Sequence, residues 1–174
     1  MVEFMSYLNN VECNFCLRVN QLSRNNSVRH FFAVVSKLGD GGYWVLLTIL
    51  TIWLQGAAAI APIVQMWLTA AAGVLVYKSL KNSLVRERPY MNHLGIYCGT
   101  APLDRYSFPS GHTLHAASFT TMLIVIEPLL AIVAVPFALL VAVSRVVLGL
   151  HYPSDVIVGA AIGISLGSTS FALF

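Results

Sequence analysis

The chain has 174 residues, of which 57% are hydrophobic and 10% are charged, and its formal net charge is +3. A soluble domain usually carries about 25% charged residues, so this composition excludes an ordinary water-facing surface and predicts a polytopic membrane protein. The length predicts a single domain over residues 1–174. No run of basic residues is present, which excludes nucleic acid as a partner.

The N-terminal segment, residues 1–41, predicts short amphipathic helices. Phe31, Val34 and Leu38 recur at helical spacing, with Arg29 and Lys37 among them. This pattern is typical both of a helix in the membrane interface and of one packed against a bundle. The segment lacks the order of a cleavable signal peptide, so we expect the first span to act as an uncleaved insertion signal.

Five apolar stretches follow, and a membrane span needs about 20 residues. The stretches cover residues 43–61, 63–80, 113–127, 129–143 and 156–174. They predict an all-α transmembrane bundle of five to six membrane helices, counting the N-terminal segment. Because the chain changes side with each span, loop 81–112 and segment 144–155 are predicted to share one membrane face.

Two polar clusters lie in the long loop. Lys81 and Arg88 are seven residues apart, two helical turns, which puts them on one face; a juxtamembrane basic flank explains them equally well.

The second cluster, Pro109 to His112, directly precedes the third apolar stretch. Free N–H groups at a helix start favour an anion, and His112 is a proton donor or acceptor. The alternative is a capped helix start with an interfacial histidine. Ser110 is not in a GxSxG elbow and is a poor nucleophile candidate.

The third cluster holds Arg145, His151 and Asp155. A helical turn separates His151 from Asp155, so the carboxylate is placed to orient the imidazole for attack. Arg145 suits phosphate oxygens, although a salt-bridged helix end is the alternative. The inventory fits phosphoryl transfer. No acidic cluster or Walker loop for magnesium is present, and the CxxC pair Cys13 and Cys16 is a weak metal signal, so no metal or cofactor is expected.

The three clusters together resemble the type 2 phosphatidic acid phosphatase superfamily. The likeness covers about residues 39–160 and consists of Lys-x6-Arg-Pro, Pro-Ser-Gly-His and Ser-Arg-x5-His-x3-Asp. It implies a phosphohistidine on His151, oriented by Asp155, with His112 as general acid and base. It also implies that the substrate phosphate is held by Lys81, Arg88, Ser110, Gly111 and Arg145.

The resemblance also implies a small bacterial enzyme of lipid metabolism. Its expected substrate is phosphatidylglycerophosphate, undecaprenyl diphosphate, phosphatidic acid or lipid A 1-phosphate, and its expected place is the inner membrane with the site at the outer face. All ten Lys and Arg residues fall on the predicted site side, which by the positive-inside rule favours the cytoplasmic face. The alternative is a non-catalytic protein that binds or transports an anionic lipid. The oligomeric state is not readable from the sequence.

Several polar residues are assigned no catalytic role. His115 is expected to be structural, one turn after His112, with a place in the lining of the site as the alternative. His30 and His93 are expected at the interface, and Asp104 and Arg105 are expected to be solvated loop charges, with a lipid headgroup as the alternative for Arg105.

Overall fold

The computed structural model describes the backbone of residues 2–172 and the side chains of residues 10–172, and it is entirely α-helical. Seven of its α-helices have at least 14 residues, and α5 is a single turn. The helices are α1 Val2–Asn20, α2 Asn26–Gly39, α3 Gly42–Gln55, α4 Ile60–Ser83, α5 Pro89–Asn92, α6 Gly111–Ile126, α7 Pro128–Val147 and α8 Pro153–Ala172.

Three helical stretches are long and apolar enough to cross a bilayer: Gly42–Ser83, Pro128–Val147 and Pro153–Ala172. Gly111–Ile126 is a shorter apolar helix. The predicted helical class is therefore confirmed, and the structure places helices over all five apolar stretches. Residues 173–174 of the last stretch lie outside the described part of the chain.

The first apolar stretch ends earlier than the sequence predicts. The turn was expected at Pro62, but α3 stops at Gln55 and a 3₁₀ turn, Gly56–Ala59, leads into α4. Gly56 has a φ of 64°, which glycine adopts readily because it has no Cβ. The chain then folds back, since the Trp67 indole N–H donates to the Thr48 hydroxyl at 3.2 Å. Gly42–Ser83 is thus a helical hairpin.

Side-chain bonds at the two ends of the bundle follow the predicted alternation. At one end, the Gln55 amide donates to the carbonyl oxygen of Ile126 at 2.5 Å. At the other end, Arg88 reaches the carbonyl oxygen of Leu150 at 2.8 Å. Loop 81–112 and segment 144–155 therefore meet at one end of the molecule, as the span count predicts.

The N-terminal helices pack on the bundle. Helix α2 lies against α7 and α3, and α1 contacts α7 and α8. The buried Asn20 amide joins this region to the site end, because it donates to the carbonyl oxygens of Tyr97 and Val147, each at 2.9 Å. Of the two positions left open by the sequence, packing against the bundle is the one observed.

Candidate active site

One cavity, of about 380 Å³, gathers residues from all three sequence clusters at the site end of the bundle. Cationic and histidine side chains line its polar part, and aromatic and small apolar side chains line the remainder. The polar lining comprises Asp40, Lys81, Arg88, Asp104, His112, His115, Arg145 and His151, together with Gly111.

The floor of the cavity is formed by His151, in the short connection between α7 and α8. The chain turns at Gly149, whose φ of 72° favours glycine, and the N–H of His151 donates to the carbonyl oxygen of Arg145 at 3.1 Å. Nδ1 of His151 lies 3.6 Å from Oδ2 of Asp155. Within residues 10–172 this Nδ1 has no hydrogen-bond partner, so the two groups are close but not hydrogen-bonded. Such bonds often tighten only when substrate is present.

Asp155 lies behind the histidine, in the first turn of α8, and is fully buried. Its Oδ2 accepts from the N–H of Tyr152 at 2.9 Å. Its Oδ1 accepts from Nη1 of Arg86 at 2.6 Å. Arg86 continues to Glu12 on α1, whose Oε2 lies 2.7 Å from Nη2. A chain of charges therefore runs from the nucleophile candidate to the N-terminal helix.

Lys81 and Arg88 present two buried cations to the cavity. Lys81 sits in the last turn of α4, and Arg88 is the N-cap of α5. Nη1 of Arg88 lies 3.2 Å from Nε2 of His151. Both cations bind the carboxylate of Asp104, which is 2.6 Å from Nζ of Lys81 and 2.8 Å from Nη2 of Arg88. An anion therefore already occupies part of the cationic site.

Arg145 is the third cation, on the last turn of α7, and is 2% exposed. Its Nη1 donates to the hydroxyl of Ser36 on α2. Its Nε has no hydrogen-bond partner among the described side chains. A buried guanidinium with an unused donor at a cavity wall favours an incoming anion.

His112 stands in the first turn of α6, at the mouth of the cavity. Its Nε2 pairs with Oδ1 of Asp40, which follows α2. Gly111, beside it, also lines the cavity. The Ser110 hydroxyl instead bonds the Thr113 hydroxyl at 3.0 Å, and the fully buried Ser110 is not part of the cavity lining. Direct contact between Ser110 and phosphate therefore stays a prediction.

Electrostatics at the floor favour a neutral nucleophile. Burial, together with the nearby cations Arg145, Arg88 and Lys81, lowers the pKa of His151 well below its ordinary value of 6.5. A neutral imidazole keeps the lone pair that attack on phosphorus requires. If Nδ1 carries the proton toward Asp155, the lone pair is on Nε2, which faces Arg88.

Beside its polar part, the cavity is lined by apolar residues of α3, α4 and α6. This apolar limb is lined by Trp44, Trp67, Ala70, Val74 and Phe119. Trp44 stacks on Phe119 with ring centroids 5.2 Å apart, and Tyr77 meets His115 edge to face at 5.8 Å. An apolar channel leading away from a cationic pocket suits a ligand with a charged head and a hydrocarbon tail.

Comparison with known proteins agrees with this geometry. The family model described as the PAP2 superfamily matches residues 62–174, which hold all three clusters. The chain belongs to the PAP2 superfamily. The type 2 phosphatidic acid phosphatase resemblance drawn from the three motifs is thereby confirmed.

Two curated relatives and one solved structure illustrate the likeness to other PAP2 proteins. Decaprenylphosphoryl-5-phosphoribose phosphatase of Mycobacterium tuberculosis is 34% identical over 134 residues, 72% of this chain and 68% of the relative. Lipid A 1-phosphatase of Rhizobium johnstonii is 26% identical over 157 residues, 78% of this chain and 64% of the relative. The crystal structure of Aquifex aeolicus LpxE superposes with a TM-score of 0.74 at 27% identity, covering 91% of this chain and 93% of that one.

The structure brings seven of the eight predicted site residues to the cavity or directly behind it: Lys81, Arg88, Gly111, His112, Arg145, His151 and Asp155. It also adds four that sequence reasoning did not assign to the site: Glu12, Asp40, Arg86 and Asp104. Asp104 was expected to be solvated, yet it carries two ion pairs. The available signal was that Arg86 lies inside the Lys81–Pro89 motif and that Asp104 precedes Pro109 in the same loop.

Two of the remaining histidines and the loop arginine lie at the surface, and the interfacial position of these histidines stays a prediction. His30, His93 and Arg105 are exposed. His115 lines the cavity below His112, so it is nearer the site than expected. Cys16 of the CxxC pair packs under the active-site loop, with its Sγ 3.9 Å from the carbonyl oxygen of His151.

Proposed function

We propose that this PAP2 lipid phosphatase hydrolyses a phosphomonoester or diphosphate of a membrane lipid through a phosphohistidine on His151, without a metal ion. The observation that carries the proposal is the convergence of three cations with His112 and His151 on one cavity with an apolar limb. The oriented pair of His151 with Asp155 disfavours a mere lipid-binding protein, because binding needs no aligned nucleophile.

In the proposed first step, Nε2 of His151 forms a bond to phosphorus as the bond from phosphorus to the lipid oxygen breaks. His112 gives its proton to that leaving oxygen. Lys81, Arg88 and Arg145 stabilise the charge that develops on the phosphoryl oxygens, and the N–H of Gly111 at the start of α6 adds a donor. These cations supply the positive charge that metal ions supply in many phosphoryl-transfer enzymes.

In the second step, His112 takes a proton from water as the water oxygen bonds to phosphorus. The bond between phosphorus and Nε2 breaks, and inorganic phosphate leaves with the neutral imidazole restored. Asp155 stabilises the imidazole in both steps, and Arg86 keeps the buried carboxylate ionised and in place.

For the substrate, we infer a lipid whose hydrocarbon chain lies in the limb between α3 and α4. Phosphatidylglycerophosphate, undecaprenyl diphosphate, phosphatidic acid and lipid A 1-phosphate all present a terminal phosphate on an apolar body. The relatives named for a decaprenyl-linked sugar phosphate and for lipid A support this class. Both an acyl chain and an isoprenoid chain would contact the same aromatic side chains of the limb.

For the membrane, we propose that α3, α4, α6, α7 and α8 span the bacterial inner membrane as one domain, with α1 and α2 packed at the site end and the site at the outer face. The helices α3 and α6, of 14 and 16 residues, are shorter than the ~20 residues of a full span, so at least one end of each lies inside the membrane boundary. In sealed right-side-out vesicles, externally added vanadate is then expected to inhibit; inhibition only after permeabilisation would reverse the orientation.

The function is tested by phosphate release from the four lipids in detergent with EDTA present. Turnover of at least one lipid is expected, with inhibition by vanadate, which mimics pentacoordinate phosphorus. His151→Ala is expected to lose about a thousandfold or more, because a nucleophile acts as a unit with its base. His93→Ala, an exposed histidine, is the matched control. Undiminished turnover in His151→Ala, or loss of turnover with EDTA, would contradict the mechanism.

A further inference from the structure

Asp104 occupies the place where the proposed substrate phosphate meets its cations. Its two carboxylate oxygens lie 2.7 and 2.6 Å from Nζ of Lys81, and Oδ1 is also 2.8 Å from Nη2 of Arg88. Its backbone carbonyl oxygen accepts from Nε of Arg88 at 3.1 Å. A carboxylate with two oxygens on two cations reproduces part of the contact set that phosphate oxygens require.

Of the three ion-paired side chains, Asp104 is the one that is partly exposed. The side chains of Lys81 and Arg88 are 7% and 1% exposed, whereas that of Asp104 is 37% exposed. Backbone bonds fix the loop at both ends, from the N–H of Gly99 to Leu148 and from the N–H of Ser107 to Arg86. Between these two bonds, the backbone N–H groups of residues 100–106 make no hydrogen bond to a backbone carbonyl in the described part of the chain.

We propose that Asp104 is an internal competitor of the substrate phosphate, which must displace it from Lys81 and Arg88 to bind. This rests on the proposed function, since it assumes that these two cations hold phosphate. Asp104 stabilises the empty site, because buried cations without a partner are costly. Phosphate can displace Asp104 because it binds Arg145 in addition to Lys81 and Arg88. The competition weakens the binding of both the substrate and the released phosphate, so the product dissociates more readily.

The competitor is charged under ordinary conditions. Burial alone would raise the pKa of Asp104, but its bonds to Lys81 and Arg88 outweigh burial and hold the pKa below its usual range. Two further charges face the same cavity: Asp40 pairs with His112, and Arg145 contacts Ser36. Neither takes over the contacts of Asp104, so an uncharged replacement leaves Lys81 and Arg88 available to phosphate.

The test compares Asp104→Asn with the wild-type enzyme by orthophosphate binding and by steady-state kinetics. If Asp104 is bound to Lys81 and Arg88 in about nine tenths of the empty enzyme molecules, the apparent Kd for orthophosphate is expected to fall about tenfold in the variant. KM and the inhibition constant of orthophosphate are expected to fall in parallel, with kcat nearly unchanged. Orthophosphate is also expected to raise the melting temperature more in the variant, because it pairs cations that the variant leaves bare.

Controls separate competition from a positioning role. Glu87→Gln makes the same chemical change at an exposed neighbouring carboxylate and is expected to leave every constant at the wild-type value. Asp104→Glu, which keeps the charge, is expected to restore weak phosphate binding, and Asp104→Ser replaces Asp104→Asn if that variant does not fold. Unchanged or weaker orthophosphate binding in Asp104→Asn would overturn the proposal. Absence of lipid turnover in wild type would instead refute the proposed function, and the orthophosphate comparison would still decide the role of Asp104.

Discussion

At the floor of the cavity the side chains of His151 and Asp155 are 1% and 0% exposed, whereas at the mouth those of Asp40 and Asp104 are 39% and 37% exposed. The floor carboxylate is held by Arg86 and the N–H of Tyr152, which do not line the cavity and need not change when substrate binds. In the proposed mechanism, phosphate and the leaving oxygen contact the groups that the mouth carboxylates bind. The difference indicates a rigid nucleophile side and an exchangeable acid side.

Among variants that test this difference between the floor and the mouth, the largest loss of kcat is expected at Arg86. Arg86→Ala leaves the buried Asp155 without its cation, so we expect kcat to fall on the order of a hundredfold as His151 loses its alignment. KM and orthophosphate affinity are expected to stay within about twofold, since Arg86 does not line the cavity. A loss of folded protein would also lower the apparent kcat without changing KM, so kcat is expressed per folded molecule, with the folded fraction measured by thermal unfolding.

Graded variants sharpen the Arg86 prediction. Arg105→Ala removes an exposed arginine from the neighbouring loop and is expected to be silent. Glu12→Gln removes the outer partner of Arg86 and is expected to lower kcat only a few fold. A loss in Arg86→Ala that appears mainly in KM would assign Arg86 to phosphate binding instead.

An intermediate effect is expected at the mouth, at Asp40. Asp40→Asn keeps a hydrogen-bond acceptor for His112 but removes the charge, so kcat is expected to fall about tenfold. The loss is expected to be smaller with p-nitrophenyl phosphate than with an alkyl phosphate, because a good leaving group needs less protonation. An equal loss with both substrates would show that Asp40 does not act through His112.

The sequence predicts the floor better than the mouth, for a physical reason. The motifs contain Lys81 with Arg88 and His151 with Asp155, and the alternation of spans brings both pairs to one end. The shared helix face predicted for Lys81 and Arg88 is wrong, because α4 ends at Ser83 and Arg88 lies beyond it as the N-cap of α5. The pairing of Arg86 with Glu12 and of Asp40 with His112 depends on how α1 and α2 dock, which no periodicity encodes. The same holds for Asp104, whose loop has no regular structure. The end of α3 was also missed, because a single glycine turn competes with an obvious proline.

The smallest effect expected is that of pH on the floor. Burial and the surrounding cations keep the pKa of His151 well below 6.5, so its imidazole is expected to stay neutral at pH 6, where an ordinary histidine is about three quarters protonated. In a histidine side-chain NMR titration, the signal that disappears in His151→Ala is expected to be that of an imidazole still neutral at pH 6. The unfolded chain binds this proton below pH 6.5 and the folded chain does not, so His151 lowers stability as pH falls. Half-protonation of His151 near pH 6.5 would mean that water reaches the floor, and the contrast between a closed nucleophile side and an open acid side would fail.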